Sequence, residues 1–249
     1  MKKSLIRELD ELENTHWWHL TKKNIFVDYI HDYIAKNKGQ NTRILEIGAG
    51  AGNILAAFKD KAEVVALDPD KSAVEYCKKR GITKVIQRTF EEYKDFKPES
   101  IDIVIAADVL EHIKEDGEAL KKIWSILKKG GVLLVHVPAH QSLFSYWDKA
   151  LGHYRRYSKK QLHEALINQN FNVEQLFHRV ILPYPFVKVF RKIKAQHMNK
   201  SNKLHSDFKN FPLFNGVLYV TTFVEDTLSK HKVISSPFGL SLFALARKK

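Results

Sequence analysis

The chain has a single cysteine, Cys77, among 249 residues. No disulfide can form within it, and no thiolate-based metal site can be assembled. That usage suits a reducing compartment. No apolar run approaches the roughly 18 residues of a bilayer-spanning helix, so none is expected. The opening stretch Met1–Asp10 lacks the apolar core of a signal peptide, and a cytoplasmic protein is expected. Acidic residues are scarce in one part only. Residues 1–150 carry 24 Lys/Arg against 23 Asp/Glu, a balance of +1, whereas 151–249 carry 17 against 5, or +12. The second part is either a surface for something anionic or a basic solvated face.

What is present, at 44% apolar residues, is ample for a core. Short β-rich runs, Arg43–Ile47, Glu63–Leu67, Lys84–Gln87, Ile101–Ala106 and Val132–Val137, read as buried strands. Helical segments alternate with them: Asn53–Lys59, Lys71–Arg80 and Glu115–Leu127. Gly81 and the Gly130–Gly131 pair follow the second and third helices, where a left-handed stop is wanted. This alternation predicts a doubly wound α/β fold, a parallel sheet covered on both faces. A helical, aromatic-rich leader (Leu5–Ala35) precedes it. A polar, aromatic loop (Pro138–Tyr157), a helix (Ser158–Asn168) and a strand (Phe171–Arg179) follow. An irregular basic segment (Leu182–Asn210), a helix (Gly216–Lys230) and a last strand (Leu240–Ala246) close the chain. The expected divisions are a helical lid over 1–40, a core over 41–180, a basic helical insertion over 181–236 and a final core strand over 237–249.

The stretch Arg43-Ile-Leu-Glu-Ile-Gly-Ala-Gly-Ala-Gly-Asn53 places Gly48, Gly50 and Gly52 at every second position. Glycine gives a positive φ cheaply and keeps Cβ atoms away from a ligand at a helix N-terminus. A dinucleotide fingerprint needs its third glycine where Asn53 stands. Glu46, at the end of the first strand, repels a pyrophosphate and attracts an ammonium or hydroxyl. Asp68, at the tip of the second strand, can accept both hydroxyls of a ribose. It can equally be a helix cap, a role open also to Asp70.

Four blocks, Glu46–Gly52, Asp68, Ile101–His112 and Leu127–Leu134, resemble the class I S-adenosylmethionine-dependent methyltransferases in order and spacing. The resemblance implies a Rossmann-like seven-stranded sheet with its last strand antiparallel, and S-adenosylmethionine as cofactor. It implies that Glu46 and the backbone of Gly48, Ala49, Gly50, Gly52 and Asn53 hold the methionine end, and that Asp68 binds the ribose with Pro69 against the adenine. Thr89 or Arg88 stands where the family often has an acid facing the adenine amine, and Phe90 offers a backbone N–H and a ring. Ala107, Asp108 and Leu110 would line the methyl end.

Two groups of residues could act on an acceptor. If the chain after strand four begins a helix, Asp108 and His112 share a face; they could act chemically or pack and cap. The loop over 138–157 leaves the sheet edge where such folds bind ligands. His153 there could take a proton beside Arg155, Arg156 and Tyr157, which could hold an anionic substrate. The same residues could be a scaffold, with Arg155 or Arg156 paired to Asp148. No His or acid spacing indicates a metal site, and none is expected. The block His16-Trp17-Trp18, the loop Gly152–Ser158 and the strand Pro237–Lys249 further resemble a bacterial and archaeal subgroup of methyltransferases of types 11 and 12. That subgroup's relatives imply small or lipid-linked acceptors such as sugars, quinone precursors or polar lipids, with Trp17 and Trp18 either a lid over the cofactor or packed on the sheet.

The expected activity is therefore O-methylation of a small-molecule or lipid-linked acceptor. Pro185–Ala195 sets Phe186, Val187, Phe190 and Ile193 on one helical face, with Lys188, Arg191, Lys192 and Lys194 mostly elsewhere. That pattern fits peripheral contact with an anionic membrane at its inner face, or docking on the protein's own core. The alternatives are a nucleic-acid methyltransferase using the basic region, and a non-catalytic cofactor-binding protein. Against the first, strand four lacks the Asn/Asp-Pro-Pro-aromatic turn of base-amine methyltransferases.

Overall fold

The computed structural model describes residues 10–37, 41–197 and 212–249. After a helical turn over 10–15, His16 caps the first long helix, α1 (Trp17–Lys36), its ring accepting from the Trp18 N–H. α1 buries Trp17, Thr21, Ile25, Phe26, Tyr29 and Ile30. Burial of side chains such as Phe26 and Ile30 stabilises by roughly 1.5–3 kcal/mol each. The order then runs β1 (Arg43–Ile47), β2 (Glu63–Leu67), α2 (Lys71–Lys79), β3 (Lys84–Ile86), β4 (Ile101–Ala107), α3 (Asp116–Ile126) and β5 (Leu127–Pro138). After β5 come α4 (Tyr146–Leu151), α5 (Lys159–Ile167), β6 (Phe171–Arg179), α6 (Tyr184–His197), α7 (Pro212–Lys230) and β7 (Ser241–Lys248).

The seven strands form one sheet in the order β3-β2-β1-β4-β5-β7-β6. β1 to β5 pair in parallel, and β7 lies antiparallel between β5 and β6. Successive strand residues face opposite sides. Leu45, Ile47, Val65 and Val104 therefore pack with α3 and α5 residues such as Leu120, Ile123 and Leu162. Ile44, Ile103, Ile105 and Leu134 pack on the other side with Phe26 and Ile30 of α1. Both faces are covered, which is why the inner strands read as nearly unbroken apolar runs.

Local chemistry explains most element ends. Asp70 caps α2 by accepting from the Ser72 and Ala73 N–H groups. Ser158 and Gln161 form a reciprocal capping box on α5. Ser145 and Asp148 do the same on α4, which ends at left-handed Gly152.

Four expectations need correction. Asn53–Lys59 does not form an α-helix but a single 3₁₀ turn, Leu55–Ala57, because few residues separate left-handed Gly52 from the bend that starts β2. Gly130 and Gly131 do not stop a helix. α3 ends at Ile126, and the pair lies in a bulge of β5, where the register steps from Ile101↔Leu127 to Ile103↔Val132. The segment Leu182–Asn210 is not irregular over its first part, since α6 occupies Tyr184–His197; its amphipathic repeat was a structural signal. Residues 198–210 lie outside the described residues. α7 also begins at Pro212, four residues before the expected start.

α7 ties the two ends of the chain together. Its Lys230 pairs with Asp28 and Asp32 of α1 at 2.5 and 2.7 Å. Its Asp226 receives Arg179 of β6 through two hydrogen bonds. Among the described residues no helix is long and apolar enough to cross a membrane.

Candidate cofactor and acceptor site

The chain leaves β1 through the glycine loop. Gly48, Gly50 and Gly52 all have positive φ, +66°, +54° and +77°. Space also matters at two of them. A Cβ on Gly48 would lie 2.5 Å from Val109 Cγ2, and one on Gly52 would lie 2.7 Å from Ile82 Cδ1 and 2.9 Å from Cys77 Sγ. The bare backbone therefore serves close packing with the loop after β4 and with α2, as well as the turn.

Beside this loop opens a cavity of about 560 Å³, within the range of small-ligand sites. Among the residues expected to bind the cofactor, Glu46, Gly48, Ala49, Gly50, Asn53 and Asp68 line it, as do Pro69, Thr89, Phe90, Ala107 and Asp108. Gly52 and Leu110 do not. Gly52 packs on Cys77 and Ile82, and Leu110 is buried in the core. Asp68 accepts from the Gly50 N–H at 2.9 Å and the Asp70 N–H at 2.8 Å. It is nearly buried and sits at a strand tip, while Asp70 holds the helix. Burial pushes the Asp68 carboxyl above its ordinary range.

Glu46 is 3% exposed, and its Oε2 is buried with no hydrogen-bond partner. Burial, then the nearby Glu13, pushes its carboxyl well up. An orphaned acid aimed at such a cavity fits a cationic ligand group. Residues of the leader also reach the cavity: Glu13, His19, Lys22 and Lys23. Sequence reasoning missed them. Their one signal is that His19, Lys22 and Lys23 share a face of α1, one turn apart.

Asp108 stands at a bend in the chain with φ +56°. Lys22 Nζ reaches it at 2.7 Å and His136 Nδ1 at 2.6 Å. Burial would raise its carboxyl, but His136 and Lys22 outweigh that and hold it well below the usual range. The chain after β4 does not begin an α-helix. It makes one 3₁₀ turn, Leu110–His112, so Asp108 and His112 come together through the bend rather than through a helical face.

A second pocket, about 300 Å³ in volume, shares Asp108 and His112 with the first. Its other polar lining is Glu111, His153, Arg156 and Arg191, and Trp18, Leu151, Val187 and Leu240 supply apolar walls. Asp148 organises one side. Buried, it accepts from Arg156 Nε at 2.7 Å and bonds His153 Nδ1 at 3.1 Å. Burial would raise its carboxyl, yet His153 and Arg156 hold it below its ordinary value.

The other two loop residues point elsewhere. Arg155 pairs with Asp116 at 2.7 Å. The Tyr157 hydroxyl donates to Asp116 at 2.6 Å and is buried. Both brace the loop against α3 and line neither pocket. The tryptophans also differ from a lid over the cofactor. Trp18 lies at the second pocket with its ring nearly perpendicular to that of His136, and Trp17 packs with Leu143, Val180, Tyr184 and Leu240.

A seven-stranded sheet with β7 reversed, a glycine loop after β1 and an acid at the tip of β2 define a Rossmann-like, cofactor-binding class. Residues 17–176 match the family model described as a methyltransferase domain, and the chain belongs to that family. Such domains take their methyl group from S-adenosylmethionine, and the cavity with its orphaned Glu46 fits that cofactor. The chain is 35% identical over 99 residues to a ubiquinone biosynthesis O-methyltransferase of Bradyrhizobium sp. (strain ORS 278), covering 37% of this chain and 38% of that one. It is 24% identical over 138 residues to the enzyme of the same name from Aliivibrio fischeri (strain MJ11), covering 51% and 58%. The chain thus spans well under two thirds of the length of these relatives. A solved SAM-dependent methyltransferase from Archaeoglobus fulgidus superposes with a TM-score of 0.55 at 20% identity, over 91% of this chain and 94% of that one.

Proposed function

We propose that this methyltransferase methylates a hydroxyl of a small or lipid-linked acceptor held in the second pocket. The observation that carries this reading is the shared wall of Asp108 and His112 between the two pockets. S-adenosylmethionine, when bound, would supply an electrophilic methyl on a sulfonium, with S-adenosylhomocysteine as the co-product. The chain's own residues align the acceptor and exclude water. Asp148 fixes the His153 ring through Nδ1, so Nε2 is left to take the hydroxyl proton. Arg156 and Arg191, both beside the Asp148 carboxylate, offer their remaining N–H donors to polar groups of the acceptor, while Trp18, Leu151, Val187 and Leu240 take an apolar body. The O-methyltransferase names of the matched relatives support oxygen as the nucleophile.

His153→Ala should leave S-adenosylhomocysteine affinity unchanged and lower turnover by about 10²–10⁴-fold, the usual range for a general base. The assay is methyl transfer from labelled cofactor to a panel of phenolic, sugar and lipid-linked hydroxyl acceptors. Wild-type turnover by the variant would remove His153 from the chemistry.

The outer side of the acceptor pocket supports peripheral membrane contact. α6 turns Val187 into the pocket but leaves Phe186, Val189 and Phe190 exposed, at 75%, 59% and 52%. This corrects the expectation of one continuous apolar face. α7 leaves Phe214, Val217 and Val220 similarly exposed. The +12 balance of residues 151–249 selects an anionic bilayer as the occupant. The protein should co-sediment with vesicles containing phosphatidylserine at low salt, and Phe186→Ser with Phe190→Ser should release it. Equal sedimentation with neutral vesicles, or none with either, contradicts this.

A further inference from the structure

We propose that Glu111, His112 and His153 form a binding site for a divalent first-row transition-metal ion of the Zn²⁺ type in the acceptor pocket. One ligand atom from each lies within 4.8 Å of the others. Donors held about 2.0–2.2 Å from one tetrahedral ion lie about 3.3–3.6 Å apart, so closing on an ion draws the three side chains together by up to about an ångström. The His112 and His153 rings already face each other edge to face, 4.6 Å between centroids.

Two observations point to a ligand rather than to packing. Glu111 is 1% exposed, and both of its carboxylate oxygens are buried without a hydrogen-bond partner. A buried carboxyl with neither oxygen satisfied is costly unless something comes to it. His153 is anchored through Nδ1 by the buried Asp148, the carboxylate–histidine arrangement that orients metal ligands. Two imidazoles with one carboxylate suit a first-row transition metal better than Mg²⁺ or Ca²⁺. Three protein donors leave further positions open toward the pocket, as a catalytic site does.

The expectation of no metal came from linear spacing. The third ligand lies 41 positions beyond His112 and is brought back by the loop after β5. The inference rests on the reading that this pocket holds the acceptor, and it replaces the proton-accepting role given there to His153. An ion here would take the acceptor oxygen at an open position, and the O–H proton would pass to solvent water. A bound ion lowers the pKa of a coordinated water from 15.7 to about 7, and the histidines would then act as ligands rather than as bases.

The test is titration of the apo protein with Zn²⁺ and Co²⁺, with neither cofactor nor acceptor present, so it can succeed or fail apart from the assigned activity. One ion per chain should bind with micromolar affinity, and Co²⁺ should give the intense visible absorption of a low-coordinate site. Glu111→Gln and His153→Ala should each lose at least tenfold in affinity and lose that absorption. Asp148→Asn should keep the stoichiometry and lose 10–100-fold. Retained S-adenosylhomocysteine binding reports that each variant is folded. If Glu111→Gln fails this check, His153→Ala, on a surface loop, carries the test. Absence of stoichiometric binding by the wild type, or unchanged binding and spectrum in a folded variant, overturns the site.

Discussion

Asp68→Ala should weaken S-adenosylmethionine and S-adenosylhomocysteine binding by about 10- to 150-fold, the 1.5–3 kcal/mol of a charge-assisted hydrogen bond. Asp68 lines the cofactor cavity at the tip of β2, and its two oxygens already receive the Gly50 and Asp70 N–H groups. Those bonds fix the carboxylate, so a ribose meets an acceptor whose orientation is set before binding. Removing it also frees the Gly50 N–H inside the glycine loop. Asp70→Ala is the comparison, since Asp70 lines the same cavity but its carboxylate is engaged on the helix. It caps α2, so its loss should cost about 0.5–2 kcal/mol of stability and little affinity. Calorimetric titration of both variants distinguishes the roles. An unchanged dissociation constant for Asp68→Ala would remove the ribose assignment.

Asp226→Ala should be the more damaging change to the fold, costing about 3–5 kcal/mol of unfolding free energy. Domains of this kind are stable by only about 5–15 kcal/mol. Arg179 is 2% exposed, and Asp226 meets it with Oδ1 to Nε at 2.7 Å and Oδ2 to the second guanidinium nitrogen. The variant strands a guanidinium between β6 and α7. The cost arises from the uncompensated charge, so Arg179→Met combined with Asp226→Leu should recover most of the stability. Urea unfolding of the wild type, the single variant and the double variant measures this. A loss under about 1 kcal/mol for Asp226→Ala, or a double variant as weak as the single, contradicts the account.

The sheet was legible because its inner strands are covered on both faces and therefore read as apolar runs. The inner strands β1, β2 and β4 lie within a residue of the expected ranges, and so do the edge strands β3 and β6. Where burial is one-sided or segments are short, the reading failed. Asn53–Lys59 has helical composition but too little length for an α-helix. The β5 bulge at Gly130 is a shift in the pairing of β5 with β4, and the β5 segment by itself does not show its partner.

Most residues lining the first cavity were readable because strand tips and the loops after them supply it. Each such loop is a contiguous motif, and all sit at one sheet edge. The acceptor side was less so. Adjacent residues in an extended loop point opposite ways, so Arg155 meets Asp116 while Arg156 meets Asp148. The pattern of basic residues does not say which turns inward. Lys22 on Asp108 joins residues 86 apart, a pairing that no local motif marks. Glu111 offered only its place in the run Leu110-Glu-His112, and its unpartnered carboxylate is visible only once the pocket walls are assembled.

The most direct test of the central claim is calorimetric titration of the purified protein with S-adenosylmethionine, S-adenosylhomocysteine and NAD. The cavity beside Glu46 and Asp68 predicts micromolar, one-to-one binding of the first two, and no heat from NAD, whose pyrophosphate would face the Glu46 carboxyl. Binding of NAD in preference, or of none of the three, would contradict the assignment of the glycine-loop cavity to a methyl donor.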